Sequence, residues 1–313
     1  MNEIHDNSDI HIAIIMATYN GEKFLEEQLD SIRKQHHENW SLHVSDDGSS
    51  DNTLTIIQEF SQRISQPIFI YSGAKKGFAQ NFLSVIRNDD VQADFYAFCD
   101  QDDIWKEKRL SDSLKDIVDF GEQVPSVTFS RTELINDKNE SIGFSPLFLK
   151  KPSLRNALIQ SIGGGNTMLF NNKTRDLLKL ISVDYKVISH DWTTYQVVSL
   201  CDGYVKYSAN PNVFYRQHSE NLIGSNIGLK SSLARFQRML VGDMIEWNQA
   251  NLKVLELYKD KCTKEVCDLI TWFKKIRVGN IYVRLYYAFR ANLYRQTVLG
   301  RLGLWLAILC KKL

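Results

Sequence analysis

The chain has 313 residues, 43% of them hydrophobic, enough to bury one large core or two smaller ones. A net charge of +1 singles out neither a nucleic acid nor an acidic partner. Five scattered cysteines (Cys99, Cys201, Cys262, Cys267, Cys310) without a Cys-x-x-Cys pair argue against a disulfide framework or a zinc site, and for reduced thiols in a cytosolic setting.

Met1 to Asp9 is polar and acidic, unlike a signal peptide. Ile12 to Ala17 is a continuous apolar run, the pattern of a strand covered on both faces. It ends at the turn Thr18-Tyr19-Asn20-Gly21, after which Phe24, Leu25, Gln28, Leu29 and Ile32 fall at helical spacing. Trp40 to Ser45 is a second strand, closed by Asp46-Asp47-Gly48-Ser49-Ser50-Asp51, and Ile56, Ile57 and Phe60 give the next helical stripe. Ile68 to Tyr71 is a third strand, followed by a turn from Gly73 to Gly77 and a helix through Phe82 and Ile86. The fourth strand, Phe95 to Cys99, stops at Asp100-Gln101-Asp102-Asp103, with a helix expected to start near Trp105. This alternation predicts a parallel sheet wound with helices, whose ligands sit at the carboxyl ends of the strands.

After about residue 125 the rhythm loosens. Ser126 to Ser130 reads as a strand, and the polar segment Asp137 to Lys151 as an excursion. Gly163-Gly164-Gly165-Asn166 precedes a short strand, Thr167 to Phe170, and a helix. His190-Asp191-Trp192 opens another helix, Val205 to Ser208 and Val213 to Arg216 are strands, and from Lys230 onward the pattern is helical.

Two acidic clusters end neighbouring strands. Asp100 and Asp102 point to one side if the chain stays extended, a ready site for a hard cation that also carries phosphates. The competing reading is a helix cap at Asp102 or Asp103. Asp46 to Asp51 is explained in part as a turn and cap, but not in its two adjacent carboxylates. One of these suits a nucleobase N–H or a ribose hydroxyl, and Thr18-Tyr19-Asn20 frames the base from the next strand.

Thr18-Tyr19-Asn20-Gly21, Asp46-Asp47-Gly48-Ser49-Ser50-Asp51 and Asp100-Gln101-Asp102-Asp103-Ile104-Trp105, in that order, resemble family 2 glycosyltransferases, which have the GT-A fold and use nucleotide-sugar donors. Tyr19 to Leu25 and Tyr215-Arg216-Gln217-His218 are most similar to bacterial dTDP-rhamnose-dependent rhamnosyltransferases of surface polysaccharide synthesis, including O-antigen, capsule and cell-wall polymers. The resemblance spans roughly residues 10 to 225. It implies a GT-A domain over 1–228, with a donor half to about 125 and an acceptor half beyond, and a helical basic region over 229–313.

Carried onto this chain, the resemblance implies that Asp47 holds the base in a pocket lined by Thr18, Tyr19 and Asn20. Asp100 contacts the ribose or the metal, and Asp102 is the main ligand of Mg²⁺ or Mn²⁺ bridging to the donor diphosphate. Asp191 is the catalytic base, with His190 standing where the family has Glu. Gly164, Gly165, Asn166 and Trp192 fall on the acceptor side, Asn81 and Arg216 on the donor side, and His218 is a phosphate or metal contact. The expected activity is inverting transfer of a sugar, L-rhamnose from dTDP-L-rhamnose, to a saccharide that is lipid-linked in this setting. Its alternatives are the same fold with a UDP-hexose, a non-catalytic nucleotide-sugar-binding subunit, or a metal-dependent phosphohydrolase.

From Thr271 to Leu313 there are nine Lys and Arg and no Asp or Glu, interleaved with aromatics, which leaves the first 270 residues at −8. If one helix ran through this tail, Arg277, Arg284 and Arg295 would share a face. Such a segment suits an anionic membrane surface, or packs back on the acidic body; no recognition fold accompanies the charge to favour nucleic acid. Leu302 to Cys310, the longest late apolar run, is too short to span a bilayer, which takes about 20 residues. The expected location is therefore cytoplasmic, peripheral to the inner face of the plasma membrane.

Overall fold

The computed structural model describes residues 7–120, 123–218 and 243–313. The first half alternates strand and helix as the periodicity requires: β1 (Ile12–Thr18), α1 (Leu25–Arg33), β2 (Trp40–Asp46), α2 (Thr53–Ser61), β3 (Ile68–Ser72), α3 (Phe78–Arg87) and β4 (Phe95–Cys99). Then come β5 (Ile104–Trp105), α4 (Arg109–Ile117), β6 (Ser126–Ser130), β7 (Glu133–Ile135), β8 (Ser141–Phe144) and α5 (Leu154–Ala157). The acceptor half closes with β9 (Leu169–Asn171), α6 (Asn172–Lys179), α7 (His190–Leu200), β10 (Tyr204–Ser208) and β11 (Val213–Arg216). Four longer helices follow: α8 (Asp243–Leu255), α9 (Lys264–Val278), α10 (Ile281–Ala291) and α11 (Val298–Leu309).

Seven strands form the central sheet in the order β10-β6-β9-β4-β1-β2-β3. Strand β1 pairs in parallel with β2 and β4, and β9 runs antiparallel between β4 and β6. Successive strands therefore grow outward from β1 in two directions, with β2 on one side and β4 on the other. That switch point opens a crevice beyond the carboxyl ends of β1, β2 and β4, where both acidic clusters emerge.

Three expectations change. No helix starts at Trp105: Ile104–Trp105 is strand β5, paired antiparallel with β11, and α4 begins at Arg109. The polar excursion contains β8, which with β7, β11 and β5 makes a second sheet of four strands. Its exposed, polar burial pattern hid it from a reading of apolar runs. Thr167 belongs to a 3-10 turn, Gly165–Thr167, and the strand starts two residues later at Leu169. The start of the helix expected from Lys230, and the 228/229 junction, lie outside the described residues.

One continuous apolar core joins the sheet to the C-terminal helices. Phe82, Phe98, Phe129 and Phe170 of the strands and α3 pack in the same cluster as Leu252, Phe273, Ile276, Ala288, Leu304 and Ile308. All five cysteines are free thiols.

Candidate active site

The turns after β1 and β2 are braced by short polar side chains. Thr18 Oγ1, the Gly48 and Ser49 amides and Ser49 Oγ all donate to the Asp46 carboxylate, at 2.5–3.0 Å. Burial raises the proton affinity of Asp46, but these donors outweigh it and hold its carboxyl below the usual range. Of the two adjacent acids, Asp46 is thus the one that builds the turn. Asp47 points the other way and accepts from the Lys75 amide at 2.9 Å. A Cβ on Gly73 would lie 2.2 Å from Asp47 Oδ1 and 2.5 Å from Asn81 Oδ1, so a residue without a side chain is needed there for Asp47 to sit as it does.

Asn20, in the left-handed region at φ 47, accepts from the Ser50 amide at 2.9 Å, which ties the first turn to the second. Tyr19 is 59% exposed beside it, an open aromatic face at the mouth of the crevice. The end of β4 is clamped to the same place. Gln101 accepts from the Tyr19 amide at 2.9 Å and donates to its carbonyl at 3.1 Å. Three strand ends are therefore bound into one edge, with Asp47 and Asp100 to Asp103 on either side of Tyr19.

The acids after β4 take separate roles. Asp103 is fully buried and accepts from Asn166 Nδ2 at 2.5 Å and the Arg216 amide at 3.0 Å, so it pins the 3-10 turn and β11 behind the site. Burial, then the charges of Asp102 and Asp100, push its carboxyl well above the usual range. Asp102 faces the crevice and meets His218 Nε2 at 2.7 Å. Asp100 is pushed up by burial and then by the charges of Asp102 and Asp191. That last coupling brings the start of α7 to the end of β4.

Asp191 lies in the first turn of α7, where its carboxylate accepts from the Trp192 amide at 2.6 Å and from the Gly165 amide. Burial lifts its carboxyl to about 6 against those bonds and that of its own amide. Its neighbour His190 carries no charge to share. The imidazole is buried against Phe82 (centroids 3.9 Å apart) and edge-on to Phe98 at 4.6 Å, with both ring nitrogens unpaired. Burial drives it down to about 3, so it is neutral at any physiological pH.

Several expected site residues stand behind the crevice. Thr18 gives its hydroxyl to Asp46. Asn81 is buried and donates to the Ser45 carbonyl, beneath Gly73 and Asp47. Trp192 is buried, its indole N–H donating to the Ala157 carbonyl. Arg216 is fully buried: its guanidinium donates to the Asp102 carbonyl, Asn139 and Glu27 and stacks on Phe24. Gly164 lends its carbonyl to Thr167 Oγ1 and to the Thr167 amide, closing the turn that presents Gly165.

Sequence reading passed over Gln101, Lys75 and Arg109. Gln101 lies between the two acids, where a long amide would have been the signal. Arg109 is buried, stacks on Trp105 and donates to the Phe98, Asn166 and Met168 carbonyls; an isolated Arg in a helix gives no such signal. A cavity of about 690 Å³ lies elsewhere: it is lined by Glu27, Lys34, Trp105, Arg109 and Phe214 among others, and none of the crevice carboxylates borders it.

The model of the family named Glycosyl transferase family 2 matches residues 13–177. The chain is 30% identical to the dTDP-rhamnosyl transferase RfbG of Shigella flexneri, over 70% of its own length and 77% of that protein. It is 33% identical to the UDP-Glc:alpha-D-GlcNAc-diphosphoundecaprenol beta-1,3-glucosyltransferase WfgD of Escherichia coli, over 42% of its length and 49% of that protein. Its fold is similar to S. aureus TarS 1-349, with a TM-score of 0.51 at 18% identity over 80% of this chain and 71% of that one. The TarS 1-349 complex with UDP-GlcNAc superposes with a TM-score of 0.50 at 15% identity, over 91% of this chain and 93% of that one.

Proposed function

The chain belongs to glycosyl transferase family 2, and from that premise we propose that it transfers L-rhamnose from dTDP-L-rhamnose to a saccharide acceptor, with inversion, in surface polysaccharide synthesis. The observation that carries the reading is the turn Gly165–Thr167, whose Gly165 amide holds the Asp191 carboxylate while its Asn166 side chain donates to Asp103 at the end of β4. It joins a carboxylate able to take a proton to the acidic strand end that faces a diphosphate.

Asp47 and Tyr19 hold the base and ribose, the carboxylate as acceptor and the phenol ring as a stacking face. Asp102 and His218, with Asp100 beside them, would hold Mg²⁺ or Mn²⁺. Among the described residues no three His, Cys, Asp or Glu side chains converge as a self-sufficient cation cage. Asp102 and His218, in contact with each other at 2.7 Å, would instead hold a cation only in part, leaving room for water and donor phosphate oxygens. When bound, the ion neutralises charge developing on the departing nucleoside diphosphate.

Asp191, held by the Gly165 and Trp192 amides, takes the proton from the acceptor hydroxyl as that oxygen attacks the anomeric carbon. One base and no protein nucleophile make a single displacement, and hence inversion. The acceptor is saccharide on a lipid carrier, presented at an anionic membrane surface, and the protein works at the inner face of that membrane.

A UDP-hexose donor is the second reading, favoured by the similarity to WfgD and by a structural neighbour that holds UDP-GlcNAc. Thermal melting with a panel of nucleotide sugars, with and without Mn²⁺, separates the two, because a ligand bound only by the native state raises Tm. dTDP-L-rhamnose with Mn²⁺ is expected to give the largest shift. No shift with any nucleotide sugar would remove the proposal.

A further inference from the structure

The C-terminal helices carry an outer face that the core does not use. On α10, Arg284, Ala288 and Ala291 point inward, while Tyr282, Tyr286 and Phe289, at helical spacing on the opposite side, stand in solvent; Tyr282 is 81% and Phe289 72% exposed. On α11, Leu304, Ala307 and Ile308 are buried, and Leu299, Leu302, Leu306 and Leu309 are exposed, Leu299 at 77%. Phe289 meets Trp305 at 5.2 Å between ring centroids, so the two stripes are one surface. Exposed apolar area of this extent on adjacent helices marks an interaction site.

The charge around it selects the partner. From Thr271 onward there is no carboxylate side chain, and Arg290, Arg301 and Lys311 lie exposed on α10, on α11 and just beyond it. A second copy of the same face would set like charges against one another. An anionic lipid surface instead accepts both features, leucines and aromatics below the headgroups and cations among them. Among the described residues no helix is long and apolar enough to cross a membrane, which makes this a surface contact.

We propose that the outer face of α10 and α11 inserts into the headgroup layer of an anionic bilayer. The inference rests on the reading above in one respect, that a lipid-borne acceptor gives such docking its purpose. The basic residues responsible differ from the row Arg277, Arg284 and Arg295. Arg284 is buried and donates to the Ile308 and Leu309 carbonyls at the end of α11. Arg277 is half-buried and donates to the Ile245 and Leu313 carbonyls.

The docking face is stitched to the candidate base. The loop between α10 and α11 is joined to the segment before and within α5 through Lys150–Gln296, Ser153–Tyr294 and Asn156–Tyr294 hydrogen bonds. That segment in turn holds α7 through Tyr195, Trp192 and Gln196. A bilayer under α10 and α11 would therefore lie at a fixed attitude to Asp191.

Flotation with vesicles of phosphatidylglycerol and phosphatidylcholine, against pure phosphatidylcholine, tests this on the full chain. Wild type is expected to float with the anionic vesicles and to be released by high salt. Leu302→Glu/Leu306→Glu is expected to cut the bound fraction at least tenfold, and Arg301→Glu/Lys311→Glu to remove its salt dependence, with both variants melting as wild type. Failure of wild type to float at low salt, or unchanged flotation of both variants, overturns the proposal. A wild-type dimer without vesicles that Leu302→Glu/Leu306→Glu makes monomeric would assign the face to a second copy and overturn it too. Nucleotide-induced melting shifts in the same variants keep the docking result separate from the donor reading.

Discussion

Asp46 and Asp191 both sit beside a turn and accept backbone amides, yet their carboxyls move in opposite directions. Asp46 has four donors and falls below the usual range; Asp191 has three backbone amides within a buried setting and rises to about 6. The difference separates a scaffold acid from one able to cycle a proton near neutral pH. If Asp191 is the base, kcat/KM should drop about tenfold per pH unit below about 6, since that ratio reports the free enzyme's ionisations. The stability linkage has its own sign. An aspartate near 3.9 unfolded and near 6 folded keeps its proton better when folded, so its ionisation costs stability above that window and nothing below it. Asp191→Asn is therefore expected to lower kcat by about 10²–10⁴ while donor affinity holds. It should also raise stability at pH 8 by about 3 kcal/mol, an effect that fades as pH falls through the window and vanishes below the unfolded pKa of about 3.9. A variant that turns over at the wild-type rate would take the base role from Asp191.

At the scale of elements, the first turn of α7 is held by what packs under it. A Cβ on Gly165 would lie 2.3 Å from His190 Nε2, and His190 is boxed in by Phe82 and Phe98. Gly165→Ala must therefore push the 3-10 turn away from α7 and loosen its amide from the Asp191 carboxylate. The expected cost is about 1–3 kcal/mol, as for overpacking in general. The distinguishing sign is a rise in the pH midpoint of kcat/KM, because losing the Gly165 amide favours the protonated Asp191, with donor affinity unchanged. His190→Glu, which restores the family's usual residue, is expected to destabilise by more, because a carboxylate would enter an aromatic box with no donor to meet it. Chemical denaturation of the two variants checks the ranking.

The same scale explains what could be read in advance. β1, β2, β3 and β4 are apolar runs ended by turn residues, so pattern predicts them; Asp47, Asp102 and Asp191 sit at strand or helix ends, where the family resemblance and not pattern singles them out from neighbouring acids. β7 and β8 escape a reading of apolar runs because both are short, β8 is largely exposed, and β7 pairs with the distant strand β11. Arg216 and Trp192 carry a donor group and adjoin the right motifs, but burial, which no local pattern encodes, turns them into supports. The condition for aligned arginines in the tail is not met: three helices with capped starts at Thr263, Asn280 and Thr297 stand in place of one continuous helix.

Across the whole molecule, the C-terminal bundle is part of the core on its inner side and bare on its outer side. Removing Thr271 to Leu313 would strip Phe273, Ile276, Leu304 and Ile308 from that core, so surface substitutions are the sharper probe of what the outer side binds. Asp47 follows β2, Asp102 follows β4 and Asp191 lies in the first turn of α7; under the proposed function they bind the base, face the diphosphate and accept the proton. Calorimetric titration of the nucleoside diphosphate, with and without Mn²⁺, into wild type, Asp47→Asn and Asp102→Asn tests that assignment most directly. Both variants should bind at least tenfold more weakly, and only Asp102→Asn should lose the gain conferred by the metal. Wild-type affinity in either variant would show that the two strand ends do not grip the same ligand.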